Sequence, residues 1–454
     1  MRKLLGVFLA LGLAILAYIV AIQFFTEEQA RLFAVLTLLL TLWTNEALPL
    51  GVVSLFPIIL FPMLGILDTN QTSANYSNSI IFLFIGGFLL AIATEKTELH
   101  KIIAYKVVKS FPATPRGLLA SLTMTTALLS MILSNTTATL LLLPIAVFVT
   151  QNRLLQSRLA LAIAFGSSIG GIATPIGTPP NLILLGFLES NHLPMISFVQ
   201  WMVLTLPLVI FMLLGMIAIL SIGLKKEENL TIEWAQQQRL TIAQWRLLGV
   251  LVATVALLLL NSPIQPYYNG LGLNEKGILL SAGLLTFLPV LGVLTWEDTK
   301  KLPFEVVFLF GAGFAIAEAF HQTGFSNQIA QFLTHIIAFP HSLIILSMAL
   351  LTVFFTTTIT SNTALSAMML PLIYTFTTKT GLNSDLFLLI TTVCASFAFI
   401  LPISTPPNAI AFAGGYVTVK QMLGFGSLLT LLGVLIVFLV AEFYWGWMFA
   451  FLAD

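Results

Sequence analysis

Charge is what this chain has least of. Asp, Glu, Lys and Arg make up 8% of its 454 residues, against about a quarter in ordinary globular proteins. So few ionisable groups cannot solvate the surface of a soluble protein of this length, and 58% of the residues are hydrophobic. Cysteine is nearly absent: the single Cys394 excludes an intramolecular disulfide and a multi-cysteine metal site, and reads as a packing residue in a helix. The five histidines, His100, His192, His321, His335 and His341, are scattered and form no metal-ligand spacing. A net charge of +1 offers nothing to attract a nucleic acid. No nucleotide-binding loop is present, and no cluster of acids and bases that a membrane-embedded enzyme would need. Those shortages exclude an enzyme and an ATP-driven pump within this chain.

What is abundant is apolar runs of ~18–20 residues, each enough to cross the hydrocarbon core as a helix. The chain therefore reads as an all-α polytopic membrane protein, with lipid as its solvent. Eleven spans are expected, at about 4–22, 30–48, 50–66, 79–95, 159–188, 198–222, 247–261, 276–295, 303–320, 386–416 and 423–447. The apolar run from Leu4 to Ala21 exceeds the ~7–15 residues of a signal-peptide core, so an anchoring first span fits it better. Lys and His at 96, 100, 101, 106 and 109, set among apolar residues, suit a helix lying on the inner membrane surface. Trp445 and Trp447 suit an interfacial aromatic belt. Glu46, Glu305 and Glu318 lie in or beside spans, and interfacial solvation explains them better than a proton relay.

Two motifs occur twice at one offset. Ser134-Asn135-Thr136 recurs as Ser361-Asn362-Thr363, and Thr178-Pro179-Pro180-Asn181 as Thr405-Pro406-Pro407-Asn408; both pairs are 227 positions apart. Pro62 and Gly65 return as Pro289 and Gly292 at the same offset, and Phe82-Leu83-Phe84 as Phe308-Leu309-Phe310 at 226. The chain is therefore two copies of one unit. Residues 1–28 hold an extra first span, 29–224 repeat 1, 225–246 a cytoplasmic linker and 247–454 repeat 2. The triplets sit in segments 117–150 and 340–376, long enough to enter the membrane and return, and each reads as a re-entrant hairpin. The Pro-Pro pairs fall inside spans 159–188 and 386–416, where proline removes a backbone donor and clashes with the preceding turn; both helices are expected to break there.

Placing the N-terminus in the cytoplasm puts sixteen of the nineteen basic residues inside and leaves only Arg31, Lys276 and Lys379 outside. That layout opens the first hairpin to the cytoplasm and the second to the outside, so the repeats are inverted, and it leaves the C-terminus outside.

Broken helices and neutral polar side chains make a transport site for a small anion with a cation. A dianion leaving water needs donors, which helix N-termini and Ser, Thr and Asn side chains supply. A hard cation such as sodium wants oxygens, which unwound carbonyls, hydroxyls and the Asn side chain provide. No Lys or Arg lies in the four motif segments, so a bound cation would have to offset the anion's charge.

At the doubled triplets and doubled Thr-Pro-Pro-Asn breaks the chain resembles the divalent anion:sodium symporter family, the INDY-type carboxylate transporters, over essentially its whole length. The resemblance implies a homodimer, each protomer with a scaffold part and a mobile transport part that moves like an elevator. It implies a substrate site of Ser134, Asn135, Thr136, Ser361, Asn362 and Thr363, with Thr178, Thr405 and Pro406 nearby. It implies one sodium at Ser130, Ser134, Asn135 and Gly177, and a second at Thr357, Thr360, Asn362 and Ser404. Thr178 and Ser404 stand where the family more often has Ser and Ala. The expected function is sodium-coupled import of small divalent anions, C4-dicarboxylates above all, in the inner membrane of a bacterium, with no organic cofactor. A dicarboxylate exchanger, a sulfate symporter and a passive anion channel are the alternatives; an exchanger would place a basic side chain where the cation sits, and none is near.

Inverted repeats make a topological prediction. In a Cys394→Ser background, a cysteine at His192 should react with an impermeant maleimide from outside, and one at Gln237 only from inside. Labelling of both from one face would overturn the inversion.

Overall fold

A computed structural model of the protein describes residues 2–224, 240–263, 268–325, 339–359 and 361–453. Most of the expected linker, and Thr360 of the expected second sodium site, lie outside the described residues. The protein is all-helical. Among the described residues six helices are long and apolar enough to cross a membrane: Lys3–Ala21, Thr69–Lys96, Phe198–Leu220, Ile242–Asn261, Phe304–Gln322 and Val419–Phe449.

Three segments differ from the sequence expectation. The run 50–66 is not one helix but two short ones, Leu50–Val53 and Phe56–Met63, because Pro49 and Pro57 each open a new start. The run 276–295 is helical only over Glu275–Leu285; beyond it the Thr286 carbonyl accepts from the N–H groups of Val293 and Leu294, and Gly292 takes a positive φ as the chain folds back. Trp445 is no belt residue: it is fully buried, and its indole N–H donates to the Leu204 carbonyl at 2.8 Å, whereas Trp447 is exposed. A neutral partner for its N–H is what allows that ring inside. The segment expected on the membrane surface is helical over Leu99–Lys109, with Leu99, Ala104 and Val108 buried.

The chain packs as two compact units, each drawn from both halves of the sequence. One comprises Met1–Ile81, Leu182–Met195 and Pro303–Ala395. Its apolar core joins the first two helices to Phe304–Gln322, around Leu32, Leu39, Trp43, Leu309 and Ala312. It also holds the second hairpin, His341–Thr358 and Asn362–Thr380, beside Ser384–Cys394. The other unit comprises Phe82–Asn181, Ile196–Leu302 and Ser396–Asp454. It holds the first hairpin, Pro115–Ser130 and Asn135–Phe148, packed on Arg153–Ile172, and the short helix Pro406–Ala413 lies against both of the latter.

The first hairpin's limbs are 16 and 14 residues long. At 1.5 Å per residue they reach ~24 and ~21 Å, short of the ~30 Å hydrocarbon core, which fits a segment that enters and returns. Thr114 caps the entering limb on the Gly117 N–H, with Pro115 in the first turn. The entering limb lies against Arg153–Ile172 through small residues. A Cβ on Gly170 would stand 2.4 Å from both the Cα and the carbonyl oxygen of Ala127, a backbone-on-backbone approach of the kind that holds helices together in lipid.

Gly170→Val should therefore prevent the two helices from seating. We expect loss of monodisperse protein in detergent, or a lowered unfolding temperature corresponding to more than the ~1–3 kcal/mol of ordinary overpacking. Gly249→Val, with open space around its Cβ position, is the control and should behave as wild type.

Candidate functional site

The returning limb of the first hairpin begins at the first triplet. Ser134 is extended (φ −62°, ψ 146°) and caps the helix: its hydroxyl accepts from the Thr137 N–H at 3.1 Å and donates to the Thr137 hydroxyl at 2.9 Å. One lone pair of the exposed Ser134 oxygen remains. The N–H groups of Asn135 and Thr136 open the helix, where no intrahelical acceptor exists. Both side chains are half-buried.

Around Asn135 the expected first-sodium residues come together. The buried Ser130 hydroxyl donates to Asn135 Oδ1 at 2.5 Å. Asn135 Oδ1 and the Gly177 carbonyl oxygen lie 2.8 and 3.0 Å from the place a Cβ on Gly171 would occupy. Two neutral oxygens therefore converge at Gly171, with the Ser130 hydroxyl bonded to one of them; only the absence of a side chain on Gly171 leaves them room. The Ser134 hydroxyl is not drawn into this group, being spent on its cap. Thr139 ties the start of the limb down, donating to the Asn135 carbonyl at 2.8 Å and to Ser167 at 3.1 Å, and Thr174 donates to the Met131 carbonyl at 2.6 Å.

The first break falls between Ile172 and Pro179, as the proline pair requires. Its first four carbonyls, Gly171 to Thr174, are engaged. Asn181 Nδ2 donates to Gly171 and Thr174, the Trp201 indole to Ile172, and the Thr205 hydroxyl to Ala173. The second break runs from Cys394 to Pro406. There Asn408 Nδ2 donates to Ala398 at 2.8 Å and Leu401 at 3.1 Å, and Thr405 caps the new helix. Thr178, Ser404 and Thr405 are buried and Pro406 is exposed. The roles of Asn181 and Asn408 were not assigned from sequence, although their shared offset marked them.

The second triplet, in the other unit, repeats the first in detail. Ser361 caps its helix on the Ala364 N–H at 3.2 Å, and Ser366 donates to the Asn362 carbonyl at 2.9 Å, matching Thr139 on Asn135. Thr363 is buried. Asn362 Oδ1 is buried with no hydrogen-bond partner among the described residues, and so, within its own unit, is Ser404 Oγ. Thr357 is half-buried and its hydroxyl donates to the Phe354 carbonyl at 2.7 Å. Glu46 and Glu305 are exposed and Glu318 half-buried. No group of three His, Cys, Asp or Glu side chains suited to a metal ion is found among the described residues. What the triplets and breaks offer is neutral oxygens and free N–H groups, a set suited to sodium and carboxylate and unsuited to zinc or iron.

Residues 37–391 match the citrate transporter family. The chain is 31% identical to the sodium-dependent dicarboxylate transporter SdcS of Staphylococcus saprophyticus, over 92% of this chain and 86% of that one. It is 30% identical to SdcS of Staphylococcus aureus strain NCTC 8325, over 96% and 91%. In fold it is similar to the YdaH transporter of Alcanivorax borkumensis, with a TM-score of 0.62 at 13% identity, over 83% of this chain and 88% of that one. MtrF of Neisseria gonorrhoeae is similar too, with a TM-score of 0.57 at 13% identity, over 82% and 83%.

The convergence at Gly171 is testable without any ligand. Gly171→Ala should lower stability by about 1–3 kcal/mol through the clash with Asn135. Combined with Asn135→Ala it should lose much of that penalty, a coupling of at least about 0.5 kcal/mol in a double-mutant cycle of thermal unfolding. Strict additivity would separate the two residues.

Proposed function

The chain belongs to the citrate transporter family, and from that we propose that it is a sodium-coupled symporter importing small dicarboxylates. C4-dicarboxylates such as succinate, malate and fumarate are the expected cargo, carried across the bacterial plasma membrane by an elevator-type movement of a homodimer with its N-terminus cytoplasmic. The names of the staphylococcal relatives support sodium and dicarboxylate. The observation in the structure that carries the reading is the group of neutral oxygens at Gly171.

The first sodium would be held by Ser130, Asn135 and Gly177, with the remaining lone pair of Ser134. Ser130 now donates to Asn135 Oδ1; on cation binding its proton turns away and both oxygens face the ion. The second would be held by Thr357, Thr360, Asn362 and Ser404, of which Asn362 and Ser404 carry buried oxygens without partners. Ser134, Asn135, Thr136 and Thr178 would bind the carboxylates with Ser361, Asn362, Thr363, Thr405 and Pro406. An unpaired anion stripped of water costs many kcal/mol, and these residues bring no charge of their own. Each sodium supplies the positive charge that makes the dianion tolerable, so substrate alone binds poorly and coupling follows from electrostatics.

Uptake of labelled succinate, citrate and sulfate into proteoliposomes tests this. Succinate should accumulate with an inward sodium gradient and fail to do so in choline. Equal uptake in choline that needs internal dicarboxylate would establish an exchanger, and uptake of sulfate but not succinate a sulfate symporter.

A further inference from the structure

We infer that Asn181 and Asn408 are positioning residues for the two cation sites, each clamping the unwound loop that presents a sodium-ligating peptide. The inference deepens the proposed sodium coupling and rests on it. The two side chains do the same thing at the same spacing. Each is fully buried, and each amide nitrogen donates to the carbonyls ten and seven residues before it: Asn181 to Gly171 at 3.1 Å and Thr174 at 2.8 Å, Asn408 to Ala398 at 2.8 Å and Leu401 at 3.1 Å. Carbonyl oxygens can only accept, so the amide orientation is fixed by its partners. Both Oδ1 atoms are buried without a hydrogen-bond partner among the described residues.

Each clamp closes a loop around the residue four places before the asparagine, Gly177 in one break and Ser404 in the other. Those are the two residues of the breaks assigned to sodium. The first clamp also reaches the oxygens directly. Gly171, whose carbonyl accepts from Asn181, is the residue against whose Cα Asn135 Oδ1 and the Gly177 carbonyl converge, and a Cβ on Gly177 would stand 2.4 Å from the Gly171 carbonyl oxygen. An unwound peptide has no ladder to hold its direction. With the clamp, its carbonyl is aimed before the ion arrives; without it, aiming the carbonyl draws on the binding free energy. Both breaks keep the same pair of bonds at the end of one shared sequence, Pro-Ile-x-Thr-Pro-Pro-Asn, so the clamp belongs to the repeated unit.

The test is the sodium dependence of thermal stabilisation in detergent, and of succinate uptake in proteoliposomes, for wild type, Asn181→Leu and Asn408→Leu. Leucine keeps the volume and removes both donors. Half-saturating sodium should rise about ten- to hundred-fold, while the succinate KM at saturating sodium changes by less than about threefold. A packing role alone would lower the unfolding temperature and leave the sodium midpoint where it was; that outcome in a folded variant overturns the inference. Should either leucine variant fail to fold, Asn181→Ala and Asn408→Ala decide it by the same midpoint. A wild type indifferent to sodium would instead overturn the sodium reading itself, and the inference falls with it.

Discussion

Backbone that leaves a helix inside a membrane protein must find its hydrogen bonds in side chains, because no water is there to supply them. That constraint organises the two breaks. In the first, four consecutive carbonyls, Gly171 to Thr174, lack the next turn of helix, and Asn181, Trp201 and Thr205 serve them all. Three elements are thereby locked to one loop: the helix that ends, the helix that begins and the long neighbour Phe198–Leu220. Leaving one such carbonyl bare costs about 1–3 kcal/mol, a large fraction of the stability of most folds. The open loop is stable only with the whole set of donors in place.

The same constraint would let a chain with so little charge handle the proposed dianion. A lysine or arginine in the site would hold the anion permanently and would itself need a partner once the anion left. Neutral oxygens would bind sodium reversibly, and where two of them pair with one another, as Ser130 and Asn135 do at 2.5 Å, they stay satisfied without it. The capping serines have a matching economy. Ser134 and Ser361 each spend an acceptor on the helix, and Ser134 also gives its proton to Thr137 and keeps one lone pair, so the helix start that offers N–H groups is stable before any ligand arrives.

Much of this was legible in the sequence because it depends on residue type and spacing. The proline pairs announced the breaks, the uncharged stretch around Ser134 announced the first hairpin, and the common offset tied Asn135 to Asn362 and Asn181 to Asn408. What could not be read were contacts that depend on a missing side chain or on distant partners. Gly171 is one of 30 glycines, and nothing nearby says that its Cα faces Asn135. Trp445 lies at the end of an apolar run, where an interfacial position is the natural reading; its partner, the Leu204 carbonyl, is 241 residues away in sequence. The proline-rich run 50–66 misled in the opposite direction, since hydropathy measures where a segment can lie and not whether it is one helix.

Ser404 shows where residue type still decides chemistry. The family resemblance leads one to expect alanine at this place, and a carbonyl alone would satisfy the role proposed for it. Here a hydroxyl is present, 2% exposed and without a hydrogen-bond partner among the described residues. Burying such a group without a partner costs about 1–3 kcal/mol, so a serine kept only for its carbonyl would be a standing penalty. Asn362 Oδ1, in the other unit, is in the same condition. Neutral oxygens held bare in this way lose their penalty when a cation binds them and regain it when the cation leaves. A cation bound at either oxygen would be held more tightly for that than at oxygens already paired. The oxygens of Ser130 and Asn135 are the paired kind: a cation bound there would first have to break their hydrogen bond, and would be held the more weakly for it.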